Sequence, residues 1–239
     1  MIFFTDIDDT LMKTKRKIIE QENCSIGAFS ESGEALSLIS PERRNFIDLI
    51  SKYTVIPVTA RSREALSRVQ LSFQKEKIIN FGATILDEHN QVNEIWRNSI
   101  LKQQLMFNTL NAYETIKKEM KLPSQFKLIE RFDNDILVFL NYRNENISLS
   151  ENIQFKLEIE NFLSKNQVPF YVYMTDRDLT LIPHYIKKEL AVEFIMEKYK
   201  GETTIGIGDH KNDFSFMSLC DFSIIPNDSS LSKLIKEFK

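Results

Sequence analysis

Asp6, Asp8 and Asp9 fall within four residues of one another, with Thr10 next, at the end of the apolar run Ile2-Phe3-Phe4. Three carboxylates this close repel one another unless a cation or a proton intervenes. A second acidic pair, Asp209 and Asp213, follows the apolar stretch Thr203 to Ile207, and a hydroxyl, Thr59, follows Val55 to Val58. Lys187 and Lys188 open a stretch with helical spacing. Acids, a hydroxyl and a lysine gathered at one place form a kit for phosphoryl transfer. Carboxylates hold Mg²⁺, an oxygen-seeking octahedral ion that favours a phosphate oxygen in its shell. The ion and a lysine neutralise charge on the transferring group, and the hydroxyl hydrogen-bonds a phosphoryl oxygen. One carboxylate can attack phosphorus, and a second can move the proton of the leaving oxygen and later of the attacking water.

These side chains need elements that bring them together. Ile2 to Phe4, Val55 to Val58, Ile78-Ile79, Thr203 to Ile207 and Phe222 to Ile225 read as short buried strands, alternating with helices at about 41–52, 62–74 and 187–200. Ser40-Pro41 supplies the first of these helices with an N-cap and a first-turn proline. That alternation is the crossover pattern of a parallel sheet. Apolar strands that stop at polar side chains place them at the carboxyl edge, where open α/β sheets bind ligands. A hairpin is expected at 26–39 around Ser30-Glu31-Ser32-Gly33, and a short helix and a terminal helix near 229–237 close the chain. Between 84 and 182 the pattern changes to a hairpin turning at His89-Asn90, a long amphipathic helix over 98–121, strands at 126–132 and 136–142, a helix at 151–165, and strands at 168–174 and 179–183. The fold class expected is therefore α/β, with a parallel-sheet core and an inserted α+β unit of order αββαββ. The core is 1–83 and 183–239, and the insert is 84–182.

Other readings of the same residues fit less well. A calcium loop starting at Asp6 needs glycine and glutamate where Leu11 and Lys17 stand. Gly206-x-Gly208 lacks the third glycine of a dinucleotide loop, since Lys211 stands there. Asp9 reads as a helix-terminal or solvated charge and His210 as a loop residue, neither as a metal ligand. Arg61 is either a contact to substrate or a surface ion pair. Tyr171 and Tyr173 alternate with Phe170, Val172 and Met174, so one face of that strand is core and the tyrosine face is either a binding surface or solvated. Arg131, Arg143 and Arg177 are candidate recognition residues.

Asp6-Ile7-Asp8-Asp9-Thr10 resembles the Asp-x-Asp-x-Thr signature of the haloacid dehalogenase superfamily. Val58-Thr59 resembles its second motif, Lys188 its third, and Gly208-Asp209-His210-Lys211-Asn212-Asp213 its fourth. The four occur in the family's order. The resemblance implies a Rossmann-like core with a type-II cap, similar in element order to the subgroup of sucrose-phosphate, trehalose-phosphate and mannosyl-phosphoglycerate phosphatases and phosphomannomutase. It implies Asp6 as nucleophile and Asp8 as general acid/base. Mg²⁺ would be bound by Asp6, the backbone carbonyl of Asp8, and Asp209. Thr59 and Lys188 would hold the phosphoryl group, with Thr10, Asn212 and Asp213 in support. Two departures from the family pattern stand out: Glu189 where glycine often follows the lysine, and Phe81-Gly82-Ala83 where relatives often carry Asn-Gly-Ala.

The bulk properties agree with such a protein. The chain has 239 residues, 42% hydrophobic and 27% charged, with a formal charge of −3. That balance gives no broad attraction to nucleic acid or to an anionic membrane, and no apolar stretch reaches the length of a membrane span. The opening residues lack a signal peptide's basic region, and Cys24 and Cys220 form no metal-binding pair. A cytoplasmic monomer or weak dimer is expected. The expected activity is Mg²⁺-dependent hydrolysis of a small phosphate monoester, a sugar phosphate by the resemblance, through an aspartyl-phosphate. The alternatives are a phosphomutase and a non-catalytic phosphate-binding regulator.

Overall fold

The computed structural model describes residues 1–19, 21–120, 123, 125–175 and 177–237. The chain divides into two compact units, Met1–Asn93 with Lys187–Lys239, and Glu94–Ile186. Those divisions fall at 93/94 and 186/187 rather than at 83/84 and 182/183.

In the first unit the elements are β1 (Ile2–Thr5), β2 (Lys13–Thr14), β3 (Ser25–Phe29), β4 (Ala35–Ile39), α1 (Pro41–Ile50), β5 (Thr54–Pro57), α2 (Arg63–Ser67), β6 (Lys77–Ile79) and β7 (Thr84–Leu86). The second unit contains α3 (Glu94–Met106), α4 (Thr109–Glu119), β8 (Lys127–Asp133), β9 (Ile136–Arg143), α5 (Leu149–Lys165), β10 (Phe170–Met174) and β11 (Asp178–Pro183). The chain then returns to the first unit with α6 (Lys188–Met196), β12 (Thr204–Ile207), α7 (Phe214–Met217), β13 (Phe222–Ile224) and α8 (Ser230–Glu237).

A parallel sheet of order β13-β12-β1-β5 forms the centre of the first unit. Its register is level: Thr5 pairs with Ile207 on one side and Pro57 on the other. The residues that follow these three strands therefore emerge side by side. β1 can be apolar from Ile2 to Phe4 because it is covered on both faces, and these three residues are all buried. β2, β4 and β3 form a separate antiparallel sheet directly after the first acidic cluster. α1 starts as expected, with the Ser40 side chain accepting from the Arg43 N–H and Pro41 in the first turn.

Two expectations for this unit change. The helix expected over 62–74 stops at Ser67, so 68–74 is irregular chain. The Ile78-Ile79 strand meets the parallel sheet only through a bridge between Val58 and Ile78, and it pairs antiparallel with β7. Beyond β7, the expected turn at His89-Asn90 is present, closed by the Asp87 N–H donating to the Gln91 carbonyl, and Leu86 bridges Val92.

The second unit is a four-stranded antiparallel sheet of order β10-β11-β9-β8. Its helices bury Tyr113, Ile116, Ile159 and Leu163 against Leu140, Tyr142, Leu179 and Leu181. α5 begins with a capping box, Ser148 and Glu151 each satisfying the other's backbone N–H. The single long helix expected over 98–121 is in fact two, broken where Asn108 takes a left-handed conformation (φ 49°, ψ 40°), which asparagine tolerates better than most residues. Residue 121, the expected end of that helix, lies outside the described residues. Among the described residues no helix is long and apolar enough to cross a membrane.

Candidate active site

Asp6 is the first residue beyond β1, and its N–H donates to the Ile207 carbonyl at 2.8 Å. The level register places Val58 and Gly208 beside it, with Thr59 and Asp209 one residue further along their chains. Lys188 comes from another direction, as the first residue of α6. Its Nζ lies 2.6 Å from Asp6 Oδ1 and 2.7 Å from Asp213 Oδ1. A cation at a helix N-terminus opposes the helix dipole, so these two carboxylates offset an unfavourable position. The side chains of Lys188, Asp6 and Asp213 are 12%, 9% and 3% exposed.

Asp213 is held at both oxygens. Oδ1 takes Lys188, and Oδ2 accepts the backbone N–H of Asp209 at 3.3 Å and of His210 at 3.1 Å. Glycine at 208 makes this possible: a Cβ there would sit 2.4 Å from the Asp213 Cβ. The Thr10 hydroxyl donates to Asp209 Oδ1 at 3.1 Å, with Asp6 Oδ2 at 3.4 Å as its second acceptor. Thr59 is buried, and its Oγ1 accepts the Arg61 N–H at 3.1 Å, so its own proton is left to donate.

Three buried carboxylates thus face one ammonium. Burial pushes Asp6 well above the usual carboxylate range, against the pull of Lys188, and Asp213 and Asp209 add to the rise. Burial, with the charges of Asp213 and Asp9, pushes Asp209 up to about 7. Burial works against the charge on Lys188 too, but Asp213 and Asp6 outweigh it and hold the ammonium above the usual lysine range. Asp6, Asp209 and Asp213 each offer an oxygen within 4.8 Å of the others. Asp213 already accepts three hydrogen bonds, whereas Asp6 Oδ2 and Asp209 share only the Thr10 hydroxyl. An all-oxygen donor set with excess negative charge fits a hard divalent cation, and of the three, Asp6 and Asp209, less engaged than Asp213, could hold it.

Asp8 is not part of this cluster. Its side chain is 46% exposed, and both its oxygens accept from Arg61, Nε to Oδ2 and Nη2 to Oδ1, each at 2.7 Å. Arg61 therefore meets a carboxylate of the site itself, an arrangement not expected from sequence, where 53 residues separate the two. Asn212 contributes its backbone, the N–H donating to His210 Nδ1 at 3.3 Å, and among the described residues its side chain makes no hydrogen bond. Asp9 pairs with Lys17 at the surface. Glu189 accepts from Ser215 of α7 at 2.9 Å and so braces α6.

The segment after β6 was missed by sequence reasoning as part of the site. Asn80, Phe81 and Gly82 have φ of 53°, 59° and 97°. For a non-glycine residue this left-handed region costs about 1–2 kcal/mol. The Phe81 N–H donates to the Thr59 carbonyl at 3.1 Å, and the Asn80 N–H to the Arg61 carbonyl at 2.9 Å. A Cβ on Gly82 would lie 2.4 Å from the Lys187 carbonyl oxygen and 3.2 Å from the Lys188 nitrogen. This turn therefore packs against both the threonine loop and the start of the lysine helix.

No family model and no curated protein sequence matches the chain. Solved structures do. Sucrose-phosphatase from Synechocystis aligns over 100% of this chain and 87% of its own, at 14% identity and TM-score 0.61. A trehalose-6-phosphate phosphatase related protein aligns over 100% and 96%, at 16% identity and TM-score 0.57. The C-terminal domain of trehalose-6-phosphate phosphatase from C. albicans aligns over 99% and 75%, at 12% identity and TM-score 0.56. The chain shares the fold of sucrose-phosphatase and trehalose-6-phosphate phosphatase.

Proposed function

We propose that this protein is a Mg²⁺-dependent phosphatase that hydrolyses a small phosphate monoester, a sugar phosphate, through an aspartyl-phosphate at Asp6. The observation that carries the reading is Lys188, whose ammonium is shared between Asp6 and Asp213 while Thr10 joins Asp6 to Asp209. A buried carboxylate kept beside a fixed ammonium is suited to approach an anionic phosphoryl group that it would otherwise repel.

Asp6 attacks phosphorus through one of its carboxylate oxygens. The bond from phosphorus to the leaving oxygen breaks, and Asp8 delivers a proton to that oxygen. Asp8 then takes a proton from water as the water opens the acyl phosphate, releasing phosphate and restoring Asp6. Both Asp8 oxygens rest on Arg61, so Asp8 reaches the leaving oxygen only after that fork opens. Thr59 donates its free proton to a phosphoryl oxygen, and Lys188 neutralises another. Asp6, Asp209 and the Asp8 carbonyl would hold Mg²⁺, which would supply further charge neutralisation when bound. The sugar reading is supported by fold likeness, since the sucrose-phosphatase neighbour was solved with sucrose and phosphate.

The test is phosphate release from a panel of sugar phosphates and an aryl phosphate with Mg²⁺. Asp6→Asn is expected to lower the rate by more than about 10³-fold, as loss of a nucleophile does in other covalent catalysts. Equal rates in wild type and variant would overturn the covalent mechanism. Isomerised sugar phosphate without free phosphate would make the protein a mutase.

A further inference from the structure

Arg43 stands in the first turn of α1, where a cation opposes the helix dipole. Its side chain is 17% exposed, and its donors go to the opening motif and to one acid. Nε donates to the Thr10 carbonyl at 3.1 Å, and Nη2 reaches the Asp9 carbonyl at 3.5 Å. The same Nη2 meets both oxygens of Asp228, at 2.9 and 3.2 Å, and Asp228 also accepts from Lys13 Nζ at 2.5 Å.

These bonds account for most carbonyls of the motif loop. The Ile7 carbonyl accepts the N–H groups of Leu11 at 2.9 Å and Met12 at 3.2 Å, and those of Asp9 and Thr10 take Arg43. Among the described residues nothing donates to the Asp8 carbonyl, the one proposed above for Mg²⁺. Asp9, next along, has a φ of 60°, a strained value for a residue with a side chain, and one that persists where the surroundings fix it.

The acid that anchors Arg43 belongs to a segment that also holds the far side of the site. Asp228 lies between β13 and α8. Just beyond it, the Ser230 hydroxyl and the Leu231 N–H both donate to the Asp209 carbonyl, at 2.9 and 2.8 Å. Thr10 joins the two arms. Its carbonyl is held by Arg43, and its hydroxyl donates to Asp209 Oδ1 at 3.1 Å.

We propose that Arg43 is a positioning residue for the cation site: anchored on Asp228, it fixes the backbone of Asp9 and Thr10, and through that backbone the Asp8 carbonyl and the Thr10 hydroxyl. This rests on the Mg²⁺-dependent reading above, and adds to it a residue that touches neither ion nor substrate.

The test is binding of Mg²⁺ alone, read from melting temperatures across a Mg²⁺ titration of chelator-stripped protein, for wild type, Arg43→Met, Arg43→Lys and Asp228→Asn. Methionine keeps an apolar stem and removes every donor. Its dissociation constant for Mg²⁺ is expected to rise about tenfold, the lower end of the roughly 10- to 100-fold cost of losing a group behind metal ligands. Arg43→Lys should recover part of this, because one ammonium cannot grip two carbonyls and a carboxylate as a planar fork does. Asp228→Asn keeps the bond to Thr10 and should show the smallest rise. Melting in chelator identifies a merely structural role, which would lower the melting temperature and leave Mg²⁺ affinity alone. Asp228 is 51% exposed, so its ion pairs contribute little stability, and melting near wild type is expected. Wild-type Mg²⁺ affinity in Arg43→Met overturns the proposal, whatever its stability; if that variant does not fold, wild-type affinity in Arg43→Lys and Asp228→Asn overturns it. If wild type itself shows no Mg²⁺ shift, the metal reading falls and this proposal falls with it, whereas a wild-type shift that the variants share leaves that reading standing and removes this one.

Discussion

The two carboxylates of the opening motif are held in opposite ways. Asp6 is buried, and its surroundings are locked: Lys188 is fixed by Asp213, Asp213 by two backbone N–H groups, and Thr10 closes the other side. Asp8, two residues on, is half-exposed and meets one partner, Arg61. The contrast fits the two tasks proposed for them. A nucleophile must stay within reach of phosphorus throughout the reaction, and a small displacement is costly. A group that gives a proton in one half-reaction and takes one in the next must move between partners. A single solvent-accessible fork can open, whereas the Asp6 network cannot yield without exposing buried charge.

If the Asp6 side is a lock, breaking any part of it should be expensive. Lys188→Ala leaves Asp6 and Asp213 buried together without their cation. The expected result is loss of phosphate release by more than about 10³-fold together with a lowered melting temperature. Gly208→Ala probes the same lock from a residue that touches no substrate. The added methyl cannot coexist with Asp213 at 2.4 Å, so Asp213 must leave the position from which it fixes Lys188. A folded protein with kcat lowered about 10²-fold is expected. Wild-type kcat in Gly208→Ala would show that Asp213 is not needed to hold the lysine.

The lock also stores repulsion, and a cation should release it. Asp209→Asn removes one of three crowded carboxylates, so in a chelator this variant should melt above wild type. Added Mg²⁺ should stabilise wild type by about 2.7 kcal/mol at a hundredfold excess over its dissociation constant, roughly 5–10 °C for a chain of this length. The variant should show little of that shift. Equal Mg²⁺ shifts in both proteins would place the cation elsewhere.

Much of this was legible in sequence, for a physical reason. A buried strand has to be apolar until it leaves the sheet, so its polar successors mark the edge, and Asp6, Thr59 and Asp209 were found that way. Of Lys187 and Lys188, which the sequence places together at a helix start, it is the Lys188 Nζ that meets Asp6. The losses came where a local signal was weak. The helix break at Asn108 has no proline or glycine to announce it. α2 ends at Ser67 although the sequence beyond keeps a helical composition. Gly82 looked like a loop residue, and only the approach of Lys187 shows why a side chain is excluded there. An ion pair was one of the two readings of Arg61, but its partner could not be read, because nothing in a sequence states which cation a carboxylate meets across 53 residues.

That fork provides the finest test of the comparison. Arg61→Ala frees Asp8, and the effect should be kinetic rather than structural. Asp8 is 46% exposed, so water can take the place of the guanidinium, and ion pairs of this exposure contribute little stability. The melting temperature should therefore stay within about 2 °C of wild type. Asp8 would no longer be oriented in either half-reaction, and kcat should fall about tenfold, less than the roughly 10²- to 10⁴-fold that a positioned acid or base supplies, because Asp8 itself remains. KM should change less than kcat, since the fork is internal to the protein. Arg61→Lys should recover only part of the loss, because an ammonium cannot reproduce a two-point grip on a carboxylate. A variant that melts far lower with an unchanged rate would make Arg61 a strut that anchors α2 through the Ala65 carbonyl. A variant faster than wild type would mean that the fork restrains Asp8 rather than aims it, and the two halves of the motif would then differ in what holds them back, not in what holds them ready.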